Sequence, residues 1–252
     1  MLKKLYDKSP IWFAVAWIVA YCVLMSLGDS LSVRVGIDKS VSLLVGLLLS
    51  LVLFIFLRKN GLSAAYGLCL PNVPMRAVLY YAPLVLLVTA NTWFGVTMHY
   101  GWVETVLYIL TMFCVGFLEE VIFRGLLFNA LRRDSEKIAI LVSSITFGMG
   151  HIINLFNGSG AELLPNLLQI VYATAAGFMF VMLYCRTDSL IVCILTHGVF
   201  NAQSVFAVDT HLLSHRVLSC VLLTVITGAY GIYIALTVKK EKHRDSMGKD
   251  IN

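Results

Sequence analysis

Long apolar stretches, broken by short clusters of charged, turn-forming and glycine residues, dominate the chain. Runs long enough to cross a bilayer, about 17–25 residues, fall near 10–28, 41–57, 76–98, 104–131, 137–156, 163–185, 189–208 and 216–238. The pattern predicts an all-α, polytopic transmembrane helical bundle of about eight helices, a single integral membrane domain over residues 1–252. The third run carries no charge between Ala77 and Met98, whereas the fifth ends in Gly148, Gly150 and His151. Residues 58–75, with Gly61, Gly67, Pro71 and Pro74, interrupt the pattern and read as a cytoplasmic linker with a short interfacial helix.

Composition agrees with a lipid-embedded chain. Hydrophobic residues make up 59% and charged residues 13%, against roughly 25% charged in a soluble domain. Mean hydropathy is +0.86. Eight spans put both termini on one side, and basic residues say which side. With both ends cytoplasmic, 15 of the 19 Lys and Arg residues are inside. They are Lys3, Lys4, Lys8, Arg58, Lys59, Arg76, Arg132, Arg133, Lys137, Arg186, Lys239, Lys240, Lys242, Arg244 and Lys249. Arg34, Lys39 and Arg216 fall outside, and Arg124 lies within the membrane. The net charge of +5 is thus a topology signal and no sign of a nucleic-acid partner. No small-x-small cleavage site follows the first apolar run, so residues 10–28 read as a retained anchor rather than a signal peptide. Cys22, Cys69, Cys114, Cys185, Cys193 and Cys220 form no C-x-x-C pair and read as small buried hydrophobes.

The exceptions to the apolar pattern carry the chemistry. Glu119 and Glu120 sit together in the fourth run, and Arg124 follows one helical turn after Glu120. Ionisable groups at membrane depth cost about 2.5–3.5 kcal/mol each even on the lenient insertion scale. His197 and Asn201 share a helical face four residues apart, as do Phe147 and His151. At a rise of about 1.5 Å per residue, Glu119, His151 and Asn201 all lie roughly 20 Å from the cytoplasmic boundary, and His197 roughly 14 Å. Three helices therefore bring polar groups to similar depth, which favours convergence on a shared wet cavity. A polar cluster that only holds helices together is the competing reading. Two carboxylates against one Arg tilt the balance toward a functional site.

Glu-Glu-x-x-x-Arg at 119–124, Phe-x-x-x-His at 147–151 and His-x-x-x-Asn at 197–201 occur in that order. They resemble the three motifs of the CPBP family (also called Abi), which includes the type II CAAX prenyl endopeptidases and bacterial bacteriocin-processing or self-immunity proteins. The resemblance covers about residues 104–207, the protease-like core. It implies an intramembrane endopeptidase whose active site is Glu119, Glu120, Arg124, His151, His197 and Asn201, with Phe147 as a packing member. The expected substrate is a membrane-anchored or hydrophobic peptide or protein, and the expected setting a bacterial cell membrane.

Such a site would hydrolyse a peptide bond with a water activated by Glu119 and His151. His197 and Asn201 would donate to the developing oxyanion, and Glu120 with Arg124 would orient the first acid. Zinc held by Glu119, His151 and His197, with Glu120 as base, is a second mechanism. The chain has no H-E-x-x-H helix, which tilts the reading toward metal-free chemistry and leaves the cofactor open. Two other classes stay in play: a non-catalytic membrane immunity or scaffold protein binding a peptide partner, and a proton-relaying transporter, for which no inverted repeat is visible. Ser159, in Asn157-Gly158-Ser159-Gly160, reads as part of a glycine turn, not a nucleophile. Ala173 and Gly177 read as a helix-packing pair, and His211 with His215 as a solvated pair.

Overall fold

The computed structural model describes residues 2–72, 81–157, 160–208 and 212–237. Arg76, Ser159, His211 and the basic residues from Lys239 to Lys249 lie outside the described residues. Within them the chain is an all-α bundle and an integral multi-pass membrane protein. A short helix α1 (Leu2–Lys8) precedes α2 (Pro10–Val35) and α3 (Ser40–Lys59). Then come α4 (Ala82–Val88), α5 (Trp102–Leu131), α6 (Glu136–Gly150), α7 (Leu163–Thr187), α8 (Ile191–Gln203) and α9 (Leu213–Thr237).

Local chemistry sets several ends. Ser9 Oγ accepts from Trp12 N ahead of Pro10, capping α2 at a position where proline's missing N–H costs nothing. Gly36, at φ 78°, closes the same helix in a left-handed turn that favours glycine. Ser135 Oγ accepts from Ile138 N at the start of α6. Asp188, at φ 53°, ends α7 and turns the chain toward α8.

Six helices among the described residues are long and apolar enough to span a bilayer: α2, α3, α5, α7, α9 and α6 continued to Leu155. Two shorter apolar helical segments join them, so the eight runs correspond to eight apolar helical segments among the described residues, six long and two short. In the third run, α4 and a 3-10 turn end at Thr92, and in the seventh, α8 and a 3-10 turn end at Phe206. Each is partly covered: Leu84, Leu87 and Cys193 are buried, while Val85, Leu86 and Leu195 are more than half exposed. Asn91 Nδ2 donates to Phe200 O at 2.5 Å and Thr97 N to Phe206 O at 2.9 Å, so the short segments satisfy each other's backbone. Irregular backbone survives at membrane depth only when buried in protein this way.

The linker after α3 is also corrected. Its described part, up to Asn72, is a series of turns without a helix. It docks against the ends of α7 and α8: Leu190 N donates to Gly67 O, and Ser189 Oγ to Cys69 O. Tyr66 is buried there, sharing a 2.6 Å hydrogen bond with the hydroxyl of Tyr6. Leu44, Leu47, Leu48 and Leu51 of α3 are more than half exposed, as a lipid-facing stripe should be.

Candidate active site

Helix α5 changes register where its charges begin. It is α-helical to Glu119 and a π-helix from Glu120 to Phe128, and all nine residues of that stretch are buried. π-Segments are rare and concentrate at functional sites. Neighbouring side chains serve the carbonyls of this one: Ser143 Oγ donates to Phe123 O and Asn129 Nδ2 to Gly125 O.

One turn before the acids, Gly116 lies against α8. A methyl group there would come within 2.8 Å of Gly198 N and 3.2 Å of Ile194 O. Glycine is what lets the two backbones touch, and the touch sets His197 beside the acid pair. His197 Nδ1 hydrogen-bonds Glu120 Oε1 at 2.8 Å, and its Nε2 is 3.5 Å from Glu119 Oε2. Arg124 Nη1 donates to the same Glu120 oxygen at 3.1 Å, both side chains being fully buried. The guanidinium lies 4.0 Å from the centre of the Phe147 ring, where a cation is favourable. His197 is stacked on Phe180 at 5.6 Å and held in place on that side.

Helix α2 supplies a residue that the sequence reading missed. Tyr21 OH donates to Glu119 Oε1 at 2.6 Å. A tyrosine in an apolar run reads as core or interface, so its only signal is a hydroxyl that must find a partner once buried.

His151 ends α6 where the helix tightens into a 3-10 turn. Gly148 brings that helix onto α7, since a methyl there would meet Ile170 O at 2.8 Å. A methyl on Gly177, of the small-residue pair on α7, would come 3.1 Å from Ser144 O. Asn166 Nδ2, from α7, donates to His151 O at 2.9 Å and fixes the turn. His215, in the first turn of α9, stacks on Phe94 at 4.6 Å.

Two cavities meet at Phe147 and His151. One, of about 130 Å³, is lined by Tyr21, Glu119 and His151 and extends past Thr111 and Asn154 to Asp29 and Lys39. That is the end of the bundle opposite Arg132. The other, of about 50 Å³, is lined by His151, His197 and Asn201 together with apolar side chains. All six sequence-predicted site residues thus gather in one region, Glu120 and Arg124 as a buried pair and the rest on the cavities.

Among the described residues, Glu119 Oε2, Glu120 Oε2, Arg124 Nε and Arg124 Nη2 have no hydrogen-bond partner although buried. Zinc would need three donors, and Glu119 with His197 could supply two. His151 does not complete the set: no group of three or more His, Cys, Asp or Glu among the described residues is placed to hold a metal ion. The donor geometry therefore does not fit the zinc alternative.

Comparison with known proteins carries the resemblance further. Residues 101–203 match the family model described as type II CAAX prenyl endopeptidase Rce1-like. A Bacillus subtilis (strain 168) protein named "Putative membrane peptidase YdiL" is 35% identical over 85 residues, which cover 33% of this chain and 30% of that protein. The aligned part is thus under a third of that relative's length. No solved structure matches.

Proposed function

With residues 101–203 matching the Rce1-like family, we propose that the chain is an intramembrane endopeptidase that cuts a membrane-anchored or hydrophobic peptide. The observation that carries this reading is the state of Glu119. Tyr21 holds one carboxylate oxygen, His197 stands 3.5 Å from the other, and the side chain borders a polar cavity that also reaches His151. A carboxylate so placed can take a proton from a water bridging to His151, while the water oxygen attacks the peptide carbonyl. The tetrahedral oxyanion is met by His197 and Asn201, which line the adjoining cavity. The proton then passes from Glu119 to the departing amine as the C–N bond breaks.

Glu120 and Arg124 form the ground beneath this chemistry. The guanidinium pairs with Glu120, and both carboxylates lie against the His197 ring, so the site is rich in acceptors for its N–H groups. With Nδ1 engaged by Glu120, the Nε2–H can turn from its long contact with Glu119 toward the substrate oxygen. A purely structural cluster would be expected to satisfy its members; a buried Glu119 oxygen without a hydrogen bond, on a side chain that borders the polar cavity, favours a reacting centre.

In a bacterial membrane, such an enzyme would mature a peptide signal or bacteriocin, or confer immunity to one. The direct test is peptide profiling of vesicle-reconstituted protein against the Glu119→Gln and His151→Ala variants. Cleavage by wild type that falls at least a hundredfold in both variants is the expected result. Full cleavage by either variant ends the proposal.

A further inference from the structure

Away from the active site, α1, α2 and α3 enclose a groove on the surface of the bundle. Its walls include Leu2 and Leu5 of α1, Ala16 and Ala20 of α2, and Leu49 and Val52 of α3, and its volume is about 240 Å³. Every residue that lines it is hydrophobic. The groove exists because two alanines, one turn apart on the same face of α2, stand between bulkier neighbours.

We propose that this groove holds one acyl chain of an anionic phospholipid, whose headgroup is bound by Lys4, Lys8 and Lys59. The proposal stands apart from the endopeptidase reading, and the groove lies outside the family-matched residues 101–203. Charge selects the lipid. Lys4 and Lys8 are exposed and neighbours on α1 at i, i+4. Lys8 stands about 60° round the helix from Leu5 of the groove wall. Lys59 is exposed, seven residues after Val52 and on the same face of α3. The Phe13 and Phe56 rings are 4.9 Å apart, so the end of α3 lies beside the start of α2. All three cations therefore come to the end of the groove where α1 lies. Among the described residues none of them has a carboxylate within ion-pair distance; Asp7, the acid of α1, pairs with Lys3 at 3.2 Å. A phosphodiester would supply the missing negative charge.

Depth agrees with charge. From Pro10, the first residue of α2, to Ala20 the helix rises about 15 Å, half of a hydrocarbon core about 30 Å thick. The groove thus ends near the bilayer midplane, as an acyl chain of one leaflet does. Trp12 lies on the same face as Ala16 and Ala20, one turn nearer the start of α2, and is largely exposed. That is the level at which tryptophans meet lipid headgroups.

The experiment titrates the full chain in detergent with phosphatidylglycerol or with phosphatidylcholine of matched chains, and counts bound lipid by native mass spectrometry. Phosphatidylglycerol should fill one site more tightly than phosphatidylcholine by roughly a hundredfold, at about fivefold for each of three cations near the surface. The preference should shrink as salt rises. Lys4→Gln, Lys8→Gln and Lys59→Gln together should erase it. Ala16→Leu with Ala20→Leu fills the groove and should remove the site for both lipids with the lysines intact. The lysine variant alters exposed side chains alone, so the idea stays testable if the filled variant does not fold. Equal binding of the two lipids, or a preference unmoved by the lysine variant, overturns the proposal. Phosphatidylglycerol binding that survives in the filled variant overturns the groove as its seat. A dimer that takes up no lipid and falls apart in the filled variant overturns it too, and gives the groove to a second copy of the chain.

Discussion

Gly116 and Gly198 touch backbone to backbone, and each directly precedes or follows the chemistry it positions. Gly116 is three residues before Glu119, and Gly198 is bonded to His197. No rotamer change can relieve a methyl group set 2.8 Å from a backbone nitrogen. Gly116→Ala should therefore push α5 and α8 apart, at a cost of about 1–3 kcal/mol. Thermal unfolding in detergent should report that loss. Peptide cleavage should fall further than folding does, because the 2.8 Å contact between His197 and Glu120 opens as well. An unchanged melting temperature would show that the contact is slack.

Tyr21 reaches the acid pair from α2, outside the family-matched segment. Removing a hydrogen bond to a charged group costs about 1.5–3 kcal/mol, roughly ten- to a hundredfold in rate at 1.36 kcal/mol per tenfold. Tyr21→Phe should lower kcat on that scale and leave KM unchanged, since the hydroxyl holds Glu119, the proposed base, and not the peptide. Steady-state kinetics on any peptide that wild type cuts will decide. A kcat within twofold of wild type would assign the hydroxyl to packing.

The Glu120–Arg124 pair is sealed from solvent on both sides. Breaking a buried pair from one end strands a charge, at about 3–5 kcal/mol. Arg124→Met should accordingly unfold the protein at much lower temperature or prevent its accumulation. Adding Glu120→Gln should recover part of the loss, which a double-mutant cycle of unfolding free energies measures. No recovery in the double variant would mean that the guanidinium acts chiefly through its contacts with Phe147 and Phe180.

Tyr66, in the linker after α3, titrates well above the usual tyrosine range because burial disfavours the phenolate; the hydrogen bond to Tyr6 adds to this, and Arg133 works weakly against it. Its raised value means that the folded state holds the proton more tightly than the unfolded one. The resulting stabilisation is complete below the unfolded value near 10 and is lost as pH rises beyond it. Melting temperature should therefore drop from about pH 10 upward, and Tyr66→Phe should flatten part of that drop. Unfolding scans between pH 8 and 11.5 are the measurement.

How much of this was legible in the residues depends on which physical term leaves a trace. Charges and imidazoles inside apolar runs stand out, so Glu119, Glu120, Arg124, His151, His197 and Asn201 could be grouped by depth alone. Tyr21 could not, because a phenol is at home in an apolar helix with or without a carboxylate beside it. Hydropathy counts apolar residues and does not report where a helix tightens or ends, so residues 189–208 read as one long span although α8 with its 3-10 turn runs only from Ile191 to Phe206. The turns around Gly67 replaced the expected interfacial helix because their hydrogen bonds go to α7 and α8, partners far away in sequence. Nothing local marks the π-segment either, since Val121 to Phe128 suits an ordinary helix equally well.

That segment carries a consequence for how the acids are aimed. Each i→i+5 turn holds one residue more than an α-turn does, so the stretch stores surplus chain inside a buried helix. Deleting a single residue between Val121 and Phe128 would let the helix close up to its ordinary pitch. Glu119 and the basic pair Arg132 and Arg133 would then keep close to their present faces, because the surplus is taken up locally. A deletion in the regular α-helix before the acids would instead turn everything ahead of it by about 100° against them.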